Sequence, residues 1–239
     1  MGRLERIVIL TGAGISAESG LGTFRGAGGL WEKRRVQDVA TPEGFARDPQ
    51  MVNDFYNMRR HRHLEVQPNA AHTALARLQS DYPGEVAIVT QNVDRLHERG
   101  GARRVLHMHG VLDALLCNAC RHRWPKPFEE RWSLEEPCPA CGDGPTRPDV
   151  VWFGEMPYHL DEIEALLLNC TLFAAIGTSG QVYPAAGFVR GAMMAGAHTV
   201  EINLEPSATV SDFGETIYGP ATSTVPEWVD RLLAEAADG

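Results

Sequence analysis

Five short apolar runs do most to limit what this chain can fold into: Arg6 to Leu10, Val86 to Thr90, Val105 to Met108, Leu172 to Gly177 and Thr199 to Asn203. Each is bounded by glycine or polar residues, as expected of strands buried on both faces of a parallel sheet. Helical patterns lie between them. Pro68-Asn69 opens one, with Ala71, Ala74, Leu75 and Leu78 on a single stripe. Pro184 opens a second helix of small residues that Gly196 can end, and Pro226 opens a third that buries Trp228, Leu232 and Leu233. Alternating strands and helices predict an α/β fold with a Rossmann-like, doubly wound parallel sheet.

Two stretches break the alternation. Residues 39–65 look helical and are dense in Arg and His around Phe55 and Tyr56, whereas 112–148 are rich in proline and show little periodicity. Both read as insertions, so one domain over 1–239 divides into a core of 1–38, 76–111 and 149–239 and a smaller module of 39–75 and 112–148.

Composition removes several classes. With 239 residues, 44% of them apolar and 22% charged, the chain is neither disordered, collagen-like nor a coiled coil. No apolar run approaches the roughly 18 residues of a membrane span. The first run, Ile7 to Leu10, is too short for a signal-peptide core. The expectation is a cytoplasmic chain with no membrane partner, its oligomeric state open, a monomer included. A net charge of −9 argues against an electrostatic grip on nucleic acid. The five cysteines are odd in number, and four fall in two close pairs, which points to a metal before disulfides.

After the first run, Thr11-Gly12-Ala13-Gly14-Ile15-Ser16-Ala17 reads as a tight turn into a helix, and Gly12, Gly14 and Ala17 satisfy G-x-G-x-x-G/A. Glycines let the backbone approach a pyrophosphate, and the helix start offers oriented N–H groups. Ordinary dehydrogenases place a second strand ending in an acid about 20 residues on. Here that region is a glycine-dense loop from Gly20 to Trp31, which reads as a mobile cover carrying Phe24 and Arg25.

Three further patterns carry chemistry. Cys117-x-x-Cys120 and Cys138-x-x-Cys141, with 17 residues between the pairs, have zinc-ribbon spacing, and four thiolates fill a tetrahedral shell, so the ion would be structural. Cys170 ends an apolar helix pattern and reads as a small buried hydrophobe. His107-x-His109-Gly110 ends a strand, where residues two apart point to one side, so geometry leaves the choice of histidine open. Tyr56 and Arg59 share one helical face, and a guanidinium is the planar partner of a carboxylate. Arg59 also begins the run Arg59 to His63, which reads equally as a solvated face.

Taken in order, Gly12 to Gly20, Thr23-Phe24-Arg25, Gln91-Asn92-Val93-Asp94, His107 to Gly110, the two cysteine pairs, Gly177-Thr178-Ser179 and Asn203-Leu204-Glu205 resemble the sirtuins, which are NAD-dependent protein deacylases. The resemblance covers nearly the whole chain. It extends to class III sirtuins of the bacterial CobB type through Trp31, Ala40 to Gly44, Val151 to Glu155 and Tyr218 to Ala221. Gly22-Thr23 departs from the wider family, where many members have Pro-Asp before Phe-Arg.

The resemblance implies residue roles. Gly12, Ala13, Gly14, Ala17, Thr23, Phe24, Arg25 and Trp31 would hold the pyrophosphate and nicotinamide side of NAD. Gln91, Asn92, Val93 and Asp94 would hold the nicotinamide ribose. Gly177, Thr178 and Ser179 would meet the adenosine, Asn203, Leu204 and Glu205 its ribose, and Ala221 the adenine. It selects His109 as general base, a role suited to an imidazole with a reference pKa near 6.5, with Asn92 and Asp94 assisting. It further implies that the acyl oxygen of an acyl-lysine attacks the anomeric carbon as nicotinamide leaves. The products would be free lysine, nicotinamide and O-acyl-ADP-ribose. Tyr56 and Arg59 would read acidic acyl groups such as succinyl, with Ala40 enlarging the pocket, and Phe153, Gly154 and Glu155 would pair with the substrate backbone. Cys117, Cys120, Cys138 and Cys141 would hold one structural Zn2+. Two other readings start from fewer residues: an NAD-dependent oxidoreductase, from the glycine turn alone, and a noncatalytic module that senses NAD or ADP-ribose.

Overall fold

A computed structural model describes residues 6–23 and 35–238; the expectations placed on Phe24, Arg25 and Trp31 lie outside them. The chain forms two compact units. One takes the residues up to Gly20, Gln67–Met108 and those from His159 onward, and the other takes Leu21–Val66 and His109–Tyr158.

The larger unit is organised by a parallel sheet of β1 (Arg6–Thr11), β2 (Glu85–Thr90), β3 (Val105–His107), β7 (Leu172–Ile176), β8 (His198–Asn203) and β9 (Glu215–Tyr218). Their order is β3-β2-β1-β7-β8-β9, and every neighbouring pair is parallel. Side chains alternate across a strand, so β1 feeds two cores. Ile7 and Ile9 pack with Leu75, Leu78 and Trp228, while Val8 and Leu10 pack with Leu167, Phe173 and Val189. Burying each such side chain is worth about 2 kcal/mol, so both faces must be covered. The helices Ala70–Asp81 and Ala221–Asp238 cover the first face, and Leu160–Asn169 and Phe188–Met194 cover the second. None of the helices among the described residues is long and apolar enough to cross a membrane.

Five strands follow the apolar runs of the sequence. The sixth, β9, is a short edge strand of alternating burial that the apolar runs do not mark. Two helix expectations change. The last helix begins at Ala221, with Pro226 inside it rather than at its start. Its first turn is held from elsewhere, because the Glu18 carboxylate accepts from both the Thr222 backbone N–H and its hydroxyl at 3.0 and 2.7 Å. The stretch 39–65 is not one helix. Val36–Val39, Pro42–Arg47 and Pro49–Arg62 are separate, with Thr41 and Asp48 capping the second and third and each followed by proline.

The smaller unit contains these helices and an antiparallel sheet of β4 (Gly110–Cys117), β5 (Arg123–Pro125) and β6 (Thr146–Val150), in the order β5-β4-β6. A buried charge joins helix to ribbon. Arg60, 1% exposed, donates to the carbonyl oxygens of Leu112, Lys126, Pro127 and Glu130. The units part at other positions than the sequence divided core from module. The division expected after residue 75 would cut the helix Ala70–Asp81, which stays whole in the larger unit because Ala71, Ala74, Leu75 and Leu78 all pack into its core.

Candidate functional site

The expected cofactor residues of the larger unit sit at the carboxyl ends of adjacent parallel strands. Gly12 to Ala17 follow β1, Gln91 to Asp94 follow β2, Gly177 to Ser179 follow β7, and Asn203 to Glu205 end and follow β8. The strand order reverses between β1 and β7, which is where open α/β sheets bind ligands. Backbone crowding at this point explains the glycines. The Gly14 N–H donates to the Gly177 carbonyl at 2.9 Å, and a Cβ on Gly12 or Gly14 would lie 2.7 or 2.6 Å from Gly177 atoms. Gly177 itself has a φ of +64°, and its own Cβ would lie 2.4 Å from the Ile15 nitrogen. Across the sheet, Asn203 Nδ2 donates to the Thr178 carbonyl at 2.7 Å, Ser179, Leu204 and Glu205 are exposed, and Ala221 is half-buried.

Asn92 and Asp94 meet beneath the glycine turn. Asn92 Nδ2 donates to the Gly12 carbonyl at 3.1 Å and to Ser16 Oγ at 3.2 Å. The Ser16 hydroxyl donates to Asp94 Oδ2 at 3.1 Å, and the Leu96 N–H donates to Asp94 Oδ1 at 3.0 Å. Both residues are about 95% buried, with Asn92 4% and Asp94 5% exposed. Burial pushes the Asp94 carboxyl up from its usual range, against the pull of the Leu96 and Ser16 donors. Val93 is buried and Gln91 half-buried beside them.

Two histidines that the sequence analysis did not single out complete this network. His72 Nε2 lies 3.4 Å from Ser16 Oγ, its Nδ1 accepts from the Asn69 N–H, and its ring meets that of His97 edge-on at 5.0 Å. His97 Nε2 lies 2.9 Å from Thr11 Oγ1, and the Thr11 hydroxyl donates to Thr90 at 2.8 Å. Burial lowers the His72 pKa to about 4 and that of His97 to about 3, so both stay neutral. The signal in the sequence was Asn69-x-x-His72, the spacing of a capping box.

The two histidines of the His-x-His segment separate. His107 ends β3 in the larger unit and is 7% exposed. Its Nδ1 donates to the Asn92 carbonyl at 3.1 Å, and its Nε2 faces Glu98 Oε1 at 2.7 Å. Burial would raise the Glu98 pKa, but the His107 bond and charge, with Arg95, hold it at about 2. His109 begins the second segment of the smaller unit and is half-buried, and its carbonyl accepts from the Val151 N–H at 2.9 Å.

In the smaller unit the run after Tyr56 is not a uniformly solvated face. Arg60 is buried as described, and Arg59 is half-buried, with its guanidinium 5.8 and 5.9 Å from the Phe55 and Tyr56 ring centres. Tyr56 is 1% exposed, and its oxygen accepts from the Trp152 indole at 2.8 Å. Ala40 is buried, and its carbonyl accepts from the Phe153 N–H at 3.0 Å. Phe153 and Gly154 are exposed, whereas Glu155 turns inward to pair with buried Arg147 and to accept from the Trp152 N–H at 2.8 Å.

The cysteine pairs converge. All four Sγ atoms lie within 4.8 Å of one another, with Cys117 to Cys141 and Cys120 to Cys138 both at 3.7 Å. Zinc–sulfur bonds of about 2.3 Å put tetrahedral sulfurs about 3.8 Å apart, so the donor set fits one zinc ion. Cys170 stands apart, buried, with its thiol donating to the Leu167 carbonyl at 3.2 Å.

Known proteins resemble this chain. A family model described as the Sir2 family matches residues 12–184. The NAD-dependent protein deacylase of Caulobacter vibrioides is 53% identical over 237 residues, covering 97% of this chain and 98% of its own. That of Escherichia coli K12 is 54% identical over 233 residues, covering 95% and 82%. A Sir2 homologue solved with NAD superposes with a TM-score of 0.88 at 36% identity over 97% of this chain and 90% of its own. A Sir2 structure with a p53 peptide and NAD+ gives 0.79 at 29% identity over 98% and 94%. With the glycine turn, the Gln91 to Asp94 loop, the His109-Gly110 step and the four-cysteine cluster falling within the matched stretch, this chain belongs to the Sir2 family, the sirtuins.

Proposed function

We propose that this protein is an NAD-dependent protein-lysine deacylase that removes acetyl and succinyl groups and yields nicotinamide and O-acyl-ADP-ribose. The observation that carries the reading is the buried Asn92–Ser16–Asp94 set under Gly12 at the switch point of the sheet. The deacylase names of relatives more than 50% identical over nearly the whole chain support it. NAD, when bound, supplies an anomeric carbon whose leaving group is nicotinamide. Glycines 12 and 14 with Ala13 and Ala17 bring backbone to the pyrophosphate. Gln91, Asn92 and Asp94 orient the nicotinamide ribose, and Gly177 to Ser179, Asn203 to Glu205 and Ala221 hold the adenosine end. His109 takes the proton from a ribose hydroxyl.

The smaller unit supplies the acyl-lysine side. Arg59 and Tyr56 on one helical face offer a cation and a hydroxyl to the carboxylate of a succinyl group, with Ala40 leaving room. The peptide backbone pairs along Phe153 to Glu155, which asks little of sequence and suits many acylated proteins. Zinc held by Cys117, Cys120, Cys138 and Cys141 ties the ribbon.

Peptides carrying acetyl-, succinyl- or malonyl-lysine, incubated with NAD, test the reading. Nicotinamide release equal to acyl loss is the expected result, whereas absorbance at the reduced-nicotinamide band would mean hydride transfer and refute it. In Arg59→Met the succinyl kcat/KM should fall about ten-fold or more beyond any loss on acetyl, the worth of one charge-assisted hydrogen bond. Equal losses would remove Arg59 from the pocket.

A further inference from the structure

We infer that Trp152 is a specificity-positioning residue, whose indole N–H occupies the Tyr56 oxygen so that the phenolic hydrogen is kept for the carboxylate of an acidic acyl group. This rests on the acidic-acyl reading above and goes beyond it by naming what sets the direction of the tyrosine hydroxyl.

An indole nitrogen only donates, so in the 2.8 Å bond between Trp152 Nε1 and Tyr56 the phenol oxygen is the acceptor. The hydroxyl hydrogen is therefore unspent in that bond, and Tyr56 has no other hydrogen-bond partner among the described residues. The side chain is only 1% exposed, so water does not freely supply an acceptor. A buried donor left unmade costs about 1–3 kcal/mol, a cost that a ligand acceptor would offset. Burial pushes the Tyr56 phenol up, against the pull of the Arg59 charge, so the hydrogen is present throughout the neutral range. An acetyl group ends in a methyl and has nothing there to accept it, whereas a succinyl group ends in a carboxylate.

Trp152 is itself firmly held. It is 2% exposed, its backbone N–H donates to Glu155 Oε2 at 2.8 Å, and the buried Arg147 guanidinium lies 4.0 Å from its ring centre. Arg147 pairs with the same Glu155, and Phe45 closes the other contact at 5.4 Å between ring centres. Glu155 and Arg147 thus fix the indole, and the indole fixes the phenol.

The test compares the parent protein with Trp152→Phe, which keeps an aromatic ring and removes the N–H. With acetyl- and succinyl-lysine peptides and NAD, the substitution should raise the succinyl KM about ten-fold more than the acetyl KM, with kcat changing much less. In a Tyr56→Phe background the same substitution should bring no further loss of succinyl preference, because the two act through one bond. Losses equal on both peptides, or additive with Tyr56→Phe, would overturn the inference. If Trp152→Phe fails to fold, the indole N–H proton of Trp152, followed by NMR in the Tyr56→Phe protein, decides. It should move to the shift of an unbonded indole, and an unmoved resonance overturns the assignment. A parent that turns over acetyl- but not succinyl-lysine would instead defeat the acidic-acyl reading, and this inference with it.

Discussion

His72 and His97 carry no charge in the folded protein because each would lose its hydration inside the larger unit, and their pKa values fall to about 4 and about 3. Unfolded histidines titrate near 6.5. Between those values the unfolded chain binds more protons than the native one, so stability rises with pH and is lost on acidification below about 6.5. Glu98 acts in the same direction but lower. Held at about 2, its contribution is present above the ordinary carboxylate range and disappears as pH falls toward 2. The thermal midpoint should therefore drop between pH 6.5 and 4, and in His97→Gln that slope should shrink to about half, since one of two such groups is gone. An unchanged slope would show that the pair does not titrate as burial dictates. His109, at the start of the smaller unit's second segment, carries a different prediction. His109→Tyr should abolish NAD-dependent deacylation while leaving the midpoint within a few degrees, and near-normal turnover would remove it as the base. At this scale, residues in turns after strands were legible, since Asn92, Asp94 and His109 stand at strand ends. His97 and Glu98 were not, because nothing in the four-residue helix Leu96–Arg99 says which distant side chains the tertiary fold will bring to them.

The ribbon and the helix Pro49–Arg62 depend on each other through Arg60, which spends its donors on four carbonyls of the ribbon side and lies across the Phe128 ring. Tyr56 and Arg59 ride on the same helix, so metal loss should reach the acyl-lysine side proposed for the smaller unit. Chelation, or Cys138→Ser, should release about one zinc per chain and take deacylation with it, whereas NAD binding to the larger unit, which has its own core, should survive in part. Full activity with no bound zinc would refute the structural role. The strands of the large sheet were readable because parallel strands buried on both faces must be apolar throughout. β6 was not, because Thr146-Arg147-Pro148-Asp149-Val150 is polar in sequence and yet wholly buried. Its charges are satisfied locally, Arg147 by Glu155 and Asn118, and Asp149 by Arg123 and Tyr158. The start of the last helix was hidden for a related reason, since it is held by Glu18, far away in sequence.

At the scale of the whole molecule, the sheet order places Gly12 to Ala17, Gln91 to Asp94, Gly177 to Ser179 and Asn203 to Glu205 at the carboxyl ends of neighbouring strands of the larger unit although they are far apart in the chain. That convergence follows from parallel topology alone and was legible before any coordinates. Where the chain passes between units was less so, because helix Ala70–Asp81 belongs by packing to the core it covers and not to the insertion it follows. The interlock of Gly12, Gly14 and Gly177 has a consequence for how such a sequence can change over time. Each glycine is the space the others need, and the two sides are far apart in the chain. A methyl gained on either side meets main chain, which no neighbouring side-chain change can relieve. A single step away from glycine at any of the three is closed off unless main chain moves on both sides.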